Sequence, residues 1–197
     1  MDHRVPEPGH LDRTLAVPAL LGDVGDFLIV TGLAGTAKDI ANLARDGSNV
    51  FYFGGAMGGA VAMGLGLALA QPDRKVLVIT GDGELLMNVG TLATVAVRNP
   101  ANLAIVCVDN GHYGETGYQL SHTSLGTDLA QMAAGAGIAN TRTVAAEAQI
   151  PEAAALLRQS NGASFVLLKV SPEEPPKFRR SLDATRNKVR FREALLG

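Results

Sequence analysis

The chain has a single cysteine, Cys107, and no tryptophan among its 197 residues. One thiol cannot close an internal disulfide, and it cannot furnish an iron–sulfur cluster or a Cys-type zinc site. Cys107 lies in the apolar run 103–108 and reads as a small buried hydrophobe. Charge is scarce as well. Asp, Glu, Lys and Arg make up 18% of the residues and the net charge is −2, so no field draws the whole chain onto nucleic acid or an acidic membrane. A convincing membrane span is also lacking. The nearest approach, residues 54–70, is at the short limit, contains six glycines and has no positive flank just before it. A buried helix entered through a glycine-rich loop accounts for it better. Residues 1–10 are polar, carry two prolines and have no apolar centre, unlike a signal peptide. The expected location is cytoplasmic.

What is present is a globular composition, 47% hydrophobic, of a length suited to one domain. Short β-branched runs at 27–30, 50–53, 75–80, 103–109, 140–144 and 165–170 alternate with helical stretches at 12–21, 36–44, 58–70, 84–98, 127–136 and 150–159. That alternation predicts an α/β fold. The runs 76–79 and 103–106 are apolar at every position, as strands covered by helices on both faces are. The expected architecture is a doubly wound, mostly parallel sheet flanked by helices. An N-terminal arm (1–11) precedes the domain (12–171). A C-terminal arm (172–197) opens with prolines and holds seven of the seventeen Lys and Arg residues. It is expected either to lie on a neighbouring subunit or to be a solvated tail.

Thr80-Gly81-Asp82-Gly83 closes one apolar run, and Asp109-Asn110-Gly111 closes the next. A strand, a crossover helix and a parallel strand place both strand ends on one edge of the sheet. Asp82 and Asn110 should therefore emerge side by side at the carboxyl edge, where open α/β sheets bind ligands. A carboxylate, an amide oxygen and a main-chain carbonyl leave positions for two phosphate oxygens and a water on Mg²⁺, the donor set a hard octahedral cation prefers. Gly83 opens a helix whose free N–H groups can face phosphate.

Gly81-Asp82-Gly83, twenty-six residues and then Asn110 resemble the signature of thiamine-diphosphate enzymes, in the domain that binds the cofactor's diphosphate. The resemblance implies that Asp82, Asn110 and the main-chain oxygen of His112 hold Mg²⁺. Upstream, Gly54-Gly55-Ala56-Met57-Gly58 resembles the loop beneath the bent cofactor. By that match Met57 wedges between the two rings, its N–H faces the aminopyrimidine, and the Gly55 carbonyl accepts from the exocyclic amine. Residues 53–123 are similar to sulfopyruvate decarboxylase beta subunits and to the matching part of phosphonopyruvate decarboxylase. The stretches that carry this are 81–88 and 109–119, with Tyr113, Gly114, Glu115, Gln119 and His122 in or beside a loop expected to close over the cofactor. Tyr113 and Gly114 are candidate cofactor contacts. Glu115 and His122 are candidates to act on substrate, His122 as a proton shuttle. Glu84 stands where many members carry a small residue, and it is expected to point away from the diphosphate or toward the ion's water shell.

The implied reaction is nonoxidative decarboxylation of a 2-oxo acid to CO₂ and an aldehyde, the cofactor's own ring serving as electron sink. In the family the glutamate that activates the aminopyrimidine lies on a separate domain, for which this chain has no room. A distinct alpha subunit is implied, with residues 54–70 packing against it or between beta subunits. Three rival readings are weaker. A nicotinamide dehydrogenase would need G-x-G-x-x-G after its first strand, and residues 32–36 lack it. A 2-oxo-acid:ferredoxin oxidoreductase chain usually brings cysteine clusters. A scaffolding subunit would have no need of an intact Asp82, Asn110 and Met57.

Overall fold

A computed structural model describes residues 10–45, 47–175 and 183–196. Six parallel strands form its central sheet: β1 (Leu28–Thr31), β2 (Val50–Tyr52), β3 (Val76–Gly81), β4 (Leu103–Asp109), β7 (Asn140–Val144) and β8 (Ser164–Lys169), in the order β2-β1-β3-β4-β8-β7. Every residue of β4 is buried, and β3 is buried up to Thr80. Unbroken apolar runs are what strands covered on both faces require, and the sheet is covered on both. The expected fold class is the one found.

Each face has its own core. On one side α1 (Arg13–Leu21), α2 (Gly35–Ala44) and α7 (Ile150–Gln159) pack over Ile29, Leu77, Val106 and Val166. On the other, α3 (Ala60–Ala70), α5 (Thr91–Arg98) and α6 (Leu129–Gly135) pack over Val30, Val78, Ile105 and Phe165. Cys107 is fully buried in that second core, as a small hydrophobe. β1 leads through α2 to β2 on one side, and the chain then returns to place β3 on the other. The gap between the carboxyl ends of β1 and β3 is the topological switch point, where such sheets form a crevice.

Three expectations need correction. Residues 84–98 do not form one helix. A short α4 (Asp82–Leu86) ends in turns at residues 87–90 before α5 begins. The Asn88 side chain donates to the Gly58 carbonyl at 3.2 Å, and Gly90 weakens helix continuation, so tertiary bonding and flexibility both favour the break. Second, the polar stretch after β4, expected simply as a covering loop, contains a small antiparallel hairpin, β5 (His112–Tyr113) and β6 (Gln119–Leu120).

Third, the C-terminal segment is not wholly a solvated tail, because it contains α8 (Ala184–Leu196), which packs on this chain's own β2. Phe191 is buried, in edge contact with Phe51, and Phe51 meets Phe53 in the same way. Asn187 donates to the Tyr52 carbonyl at 3.0 Å. The basic residues hid an amphipathic helix that covers an otherwise open sheet edge, a standard protection against edge pairing. Residues 1–9 of the expected N-terminal arm and 176–182 of the C-terminal one lie outside the described residues. Among the described residues no helix is long and apolar enough to cross a membrane.

α3 approaches β3 through Gly64, where a Cβ would run into Val78 Cγ2. Replacing Gly64 with Ala gains about 1 kcal/mol of helix propensity, but overpacking a tight core costs about 1–3 kcal/mol. Gly64→Ala is therefore expected to lower the denaturation midpoint. A raised midpoint would show that this helix is loosely seated.

Candidate functional site

At the switch point lies a cavity of about 230 Å³. Its walls are Leu33–Thr36 after β1, Gly81–Glu84 after β3, and Asn110 with residues 112–116 after β4. Asp82, Asn110 and His112 thus face one space, as the crossover argument requires. Met57, Tyr113, Gly114 and Glu115 line it too. Gly55 and Ala56 are exposed on the neighbouring loop and are not part of its lining. His122 is exposed outside it, with its Nδ1 3.3 Å from the Tyr113 hydroxyl. Gln119 is exposed too, and its side chain closes the hairpin turn through both polar groups of Thr116.

Asp82 is only 2% exposed. Its Oδ2 accepts a short hydrogen bond from the Ser121 hydroxyl and lies 3.0 Å from Thr123 Oγ1. Thr123 Oγ1 is also 2.7 Å from Asp109 Oδ1, while Lys169 Nζ donates to Asp109 Oδ2 at 2.7 Å. Burial pushes the Asp82 carboxyl above its ordinary value; the Ser121 hydrogen bond opposes this and the nearby Asp109 adds to it. Among the described residues no cation forms an ion pair with Asp82. The cluster therefore holds two carboxylates and one ammonium. An uncompensated anion in a buried site is costly unless a cation joins it.

Asn110 Oδ1 accepts from the His112 N–H at 3.1 Å, which shapes the turn out of β4 and leaves the amide oxygen a second lone pair. The Tyr113 ring lies directly over Gly83, leaving no room there for a Cβ. The hairpin thus closes onto the first turn of α4, and Tyr118 anchors its tip by donating to the Pro172 carbonyl at 2.7 Å. Opposite, α2 begins at Gly35 with no side-chain cap, because its N-cap is Ala34 in a positive-φ conformation. Its first free N–H groups border the cavity, and such a terminus favours an anion.

The Glu84 side chain borders the cavity and turns back across the switch point. Oε2 accepts from the Leu33 N–H at 3.1 Å and from the Thr80 hydroxyl at 3.0 Å, spanning the switch point from β3 to the loop after β1. Glu84 Oε1 is buried with no close hydrogen-bond partner among the described residues. Burial raises this carboxyl above its ordinary value of 4.5, against the hydrogen bonds from Leu33 and Thr80.

Several residues at the site were not legible as such. Arg13 is buried in a multiply bonded pair with Asp39 and lines the cavity from α1, and Lys38 reaches Glu115 at 3.5 Å across its mouth. Ser121 and Thr123 were read only as part of a covering loop. Among the described residues no group of three or more His, Cys, Asp or Glu side chains could hold a metal, but the donors expected here are one carboxylate, one amide and one main-chain carbonyl.

Comparison with known proteins agrees with this geometry. A family model described as thiamine pyrophosphate enzyme, C-terminal TPP binding domain, matches residues 34–168. Sulfopyruvate decarboxylase subunit beta of Methanocaldococcus jannaschii is 39% identical over 66% of this chain and 69% of its own length. The subunit of the same name from Methanococcus maripaludis is 33% identical over 94% of this chain and 98% of its own length. The solved structure of a thiamine diphosphate-dependent 4-hydroxybenzoylformate decarboxylase from Rhodococcus jostii superposes with a TM-score of 0.69 at 20% identity, over 88% of this chain and 35% of that one. That last likeness establishes the fold.

The Glu84 carboxyl makes a pH prediction. With its pKa raised, the folded state holds this proton more tightly than the unfolded chain does. Its contribution to stability is thus fully present below 4.5 and is lost as pH rises through the folded value. In the cofactor-free chain, Glu84→Gln should reduce the fall in melting temperature between pH 4.5 and neutrality. An unchanged slope would mean that this carboxyl is not desolvated.

Proposed function

Because the chain belongs to the thiamine pyrophosphate enzymes, through their C-terminal TPP-binding domain, we propose that it is the beta subunit of a thiamine-diphosphate- and Mg²⁺-dependent 2-oxo acid decarboxylase. Its substrate is a 2-oxo acid with an acidic 3-substituent, sulfonate or phosphonate, and its products are CO₂ and an aldehyde. The reading is that of a carboxy-lyase active only with a partner.

One observation carries this reading. Asp82 is buried without a cationic partner among the described residues, and it faces a cavity shared with Asn110 and an uncapped helix N-terminus. A divalent ion would neutralise the carboxylate, and a diphosphate would satisfy both the ion and the free N–H groups of α2. The residues present fit both groups. Asp82, Asn110 and the His112 main-chain oxygen would hold Mg²⁺, and Gly81, Gly83, Tyr113 and Gly114 would border the diphosphate. Bound thiamine diphosphate supplies the electron sink for loss of CO₂.

The chain's own residues have simpler tasks. Met57, 41% exposed at the cavity rim, would support the cofactor's rings, with Gly55 and Ala56 shaping the loop that presents it. The hairpin excludes water from above. Glu115 at its tip would meet the substrate, from beside Lys38 on the cavity wall. His122 would act through Tyr113, to whose hydroxyl it is hydrogen-bonded.

The missing half is an alpha subunit that carries the pyrimidine-binding domain and its catalytic glutamate. The M. jannaschii and M. maripaludis relatives are themselves named as beta subunits. α3 supports such a contact. It is apolar on all sides, yet Ala62, Gly66, Leu69 and Ala70 are exposed on this chain, and a helix of that kind is normally buried. Association of beta subunits with one another through this face is part of the proposal, as is a cytoplasmic location.

The direct test is co-expression with the partner chain, followed by CO₂ release from sulfopyruvate and phosphonopyruvate. Release from at least one, dependent on both the cofactor and Mg²⁺, is expected; no release from either would overturn the reading. In the same complex Asp82→Ala should abolish Mg²⁺-dependent cofactor retention, and full retention would remove Asp82 from the site. Met57→Ala should lower kcat while leaving cofactor affinity nearly intact. An unchanged kcat would take Met57 off the catalytic list.

A further inference from the structure

We infer that Ser121 and Thr123 are positioning residues for the divalent ion, and that through them the covering hairpin and the metal site are one unit. The inference rests on the thiamine-diphosphate reading above.

Both hydroxyls converge on one oxygen of Asp82, Oδ2. Among the described residues no side-chain donor reaches Oδ1, and the main-chain N–H of Gly83 is the remaining donor to this carboxylate. Ser121 is fully buried and Thr123 is nearly so. Neither residue is there as solvated loop surface.

The proton count shows how tight the arrangement is. Thr123 has one hydroxyl proton, yet its oxygen lies within hydrogen-bonding distance of Ser121, Asp82 and Asp109. Ser121 donates to Asp82, so the one Thr123 proton serves a single acceptor at a time, either carboxylate or the Ser121 oxygen. Lys169 neutralises Asp109 from the far side. One negative charge is left at Asp82, at the orientation the two hydroxyls impose. A dication is the group that completes such a cluster.

The position of these residues in the chain matters equally. β6 ends at Leu120, and Ser121 follows immediately, its own N–H donating to the Gly111 carbonyl at 2.7 Å. The hairpin therefore has two feet. One is Asn110–Gly111, which leaves β4 with the amide ligand. The other is Ser121–Thr123, which grips the carboxylate ligand. Binding of the ion fixes both feet at once, so ordering of the hairpin and affinity for the ion must raise each other equally.

The test uses the full chain in complex with its partner and measures the Mn²⁺ concentration needed for half-maximal thiamine diphosphate binding, with free Mn²⁺ followed by electron paramagnetic resonance. Losing a residue that orients a ligand typically weakens metal binding about 10- to 100-fold, and a rise of that order is expected for Thr123→Val and for Ser121→Ala. Thr123→Ser, which restores the hydroxyl, should recover the wild-type requirement; a merely structural role for the methyl group would not be rescued this way. Hydrogen exchange gives a second readout. Mn²⁺ with the cofactor should slow exchange of residues 112–120 in the wild type and much less in Thr123→Val. Ser121→Ala removes a single oxygen, and it keeps the test decisive if Thr123→Val does not fold. Folded variants with a wild-type Mn²⁺ requirement would overturn the inference and leave the proposed function standing. A wild-type complex whose cofactor binding ignores Mn²⁺ would instead overturn both.

Discussion

A carboxylate sunk to 2% exposure at the end of β3, beside a second carboxylate at the end of β4, sets the terms for everything around it. Water cannot solvate these charges fully, and among the described residues the one ammonium in contact, Lys169, is committed to Asp109. Two hydroxyls hold Asp82 in place without neutralising it. The fold thus keeps a site that is electrostatically incomplete on its own, and burial is the largest influence on the Asp82 carboxyl. Functional sites often depart in this way from what stability alone would select.

Parallel topology makes the site possible. Because the chain crosses from one side of β1 to the other, three strand ends open onto a single crevice, each followed by a loop free to specialise. The loop after β1 supplies an uncapped helix terminus, that after β3 the carboxylate, and that after β4 the amide and the hairpin. Glu84 ties the first two together across the switch point. Its side chain is thus a brace between elements, although it sits beside Asp82 and Gly83 in the first turn of α4.

Much of this was legible in the sequence, for physical reasons that differ by element. β4 was read to its observed bounds and β3 to within one residue at each end because buried parallel strands are apolar throughout. The placement of Asp82 beside Asn110 follows from the handedness of a single crossover. The break between α4 and α5 was not legible, because it depends on Asn88 reaching Gly58 from thirty residues away. α8 was missed because its basic residues outweighed the spacing of Asn187 and Phe191, which pack on β2. Arg13 gave no signal, since a buried arginine on a short helix has meaning only once Asp39 is beside it. Ser121 and Thr123 had a signal that went unused: two hydroxyl residues close together, directly after a hairpin that returns to Asp82.

The account stands or falls on where a divalent ion sits. The most direct measurement is an anomalous-scattering map from crystals of the complex grown with Mn²⁺ and thiamine diphosphate. The account predicts one strong peak coordinated by Asp82, Asn110 and the main-chain oxygen of His112, with the cofactor's phosphate oxygens beside it. A cofactor bound in the crevice with its ion elsewhere, or with no peak at Asp82, would contradict it.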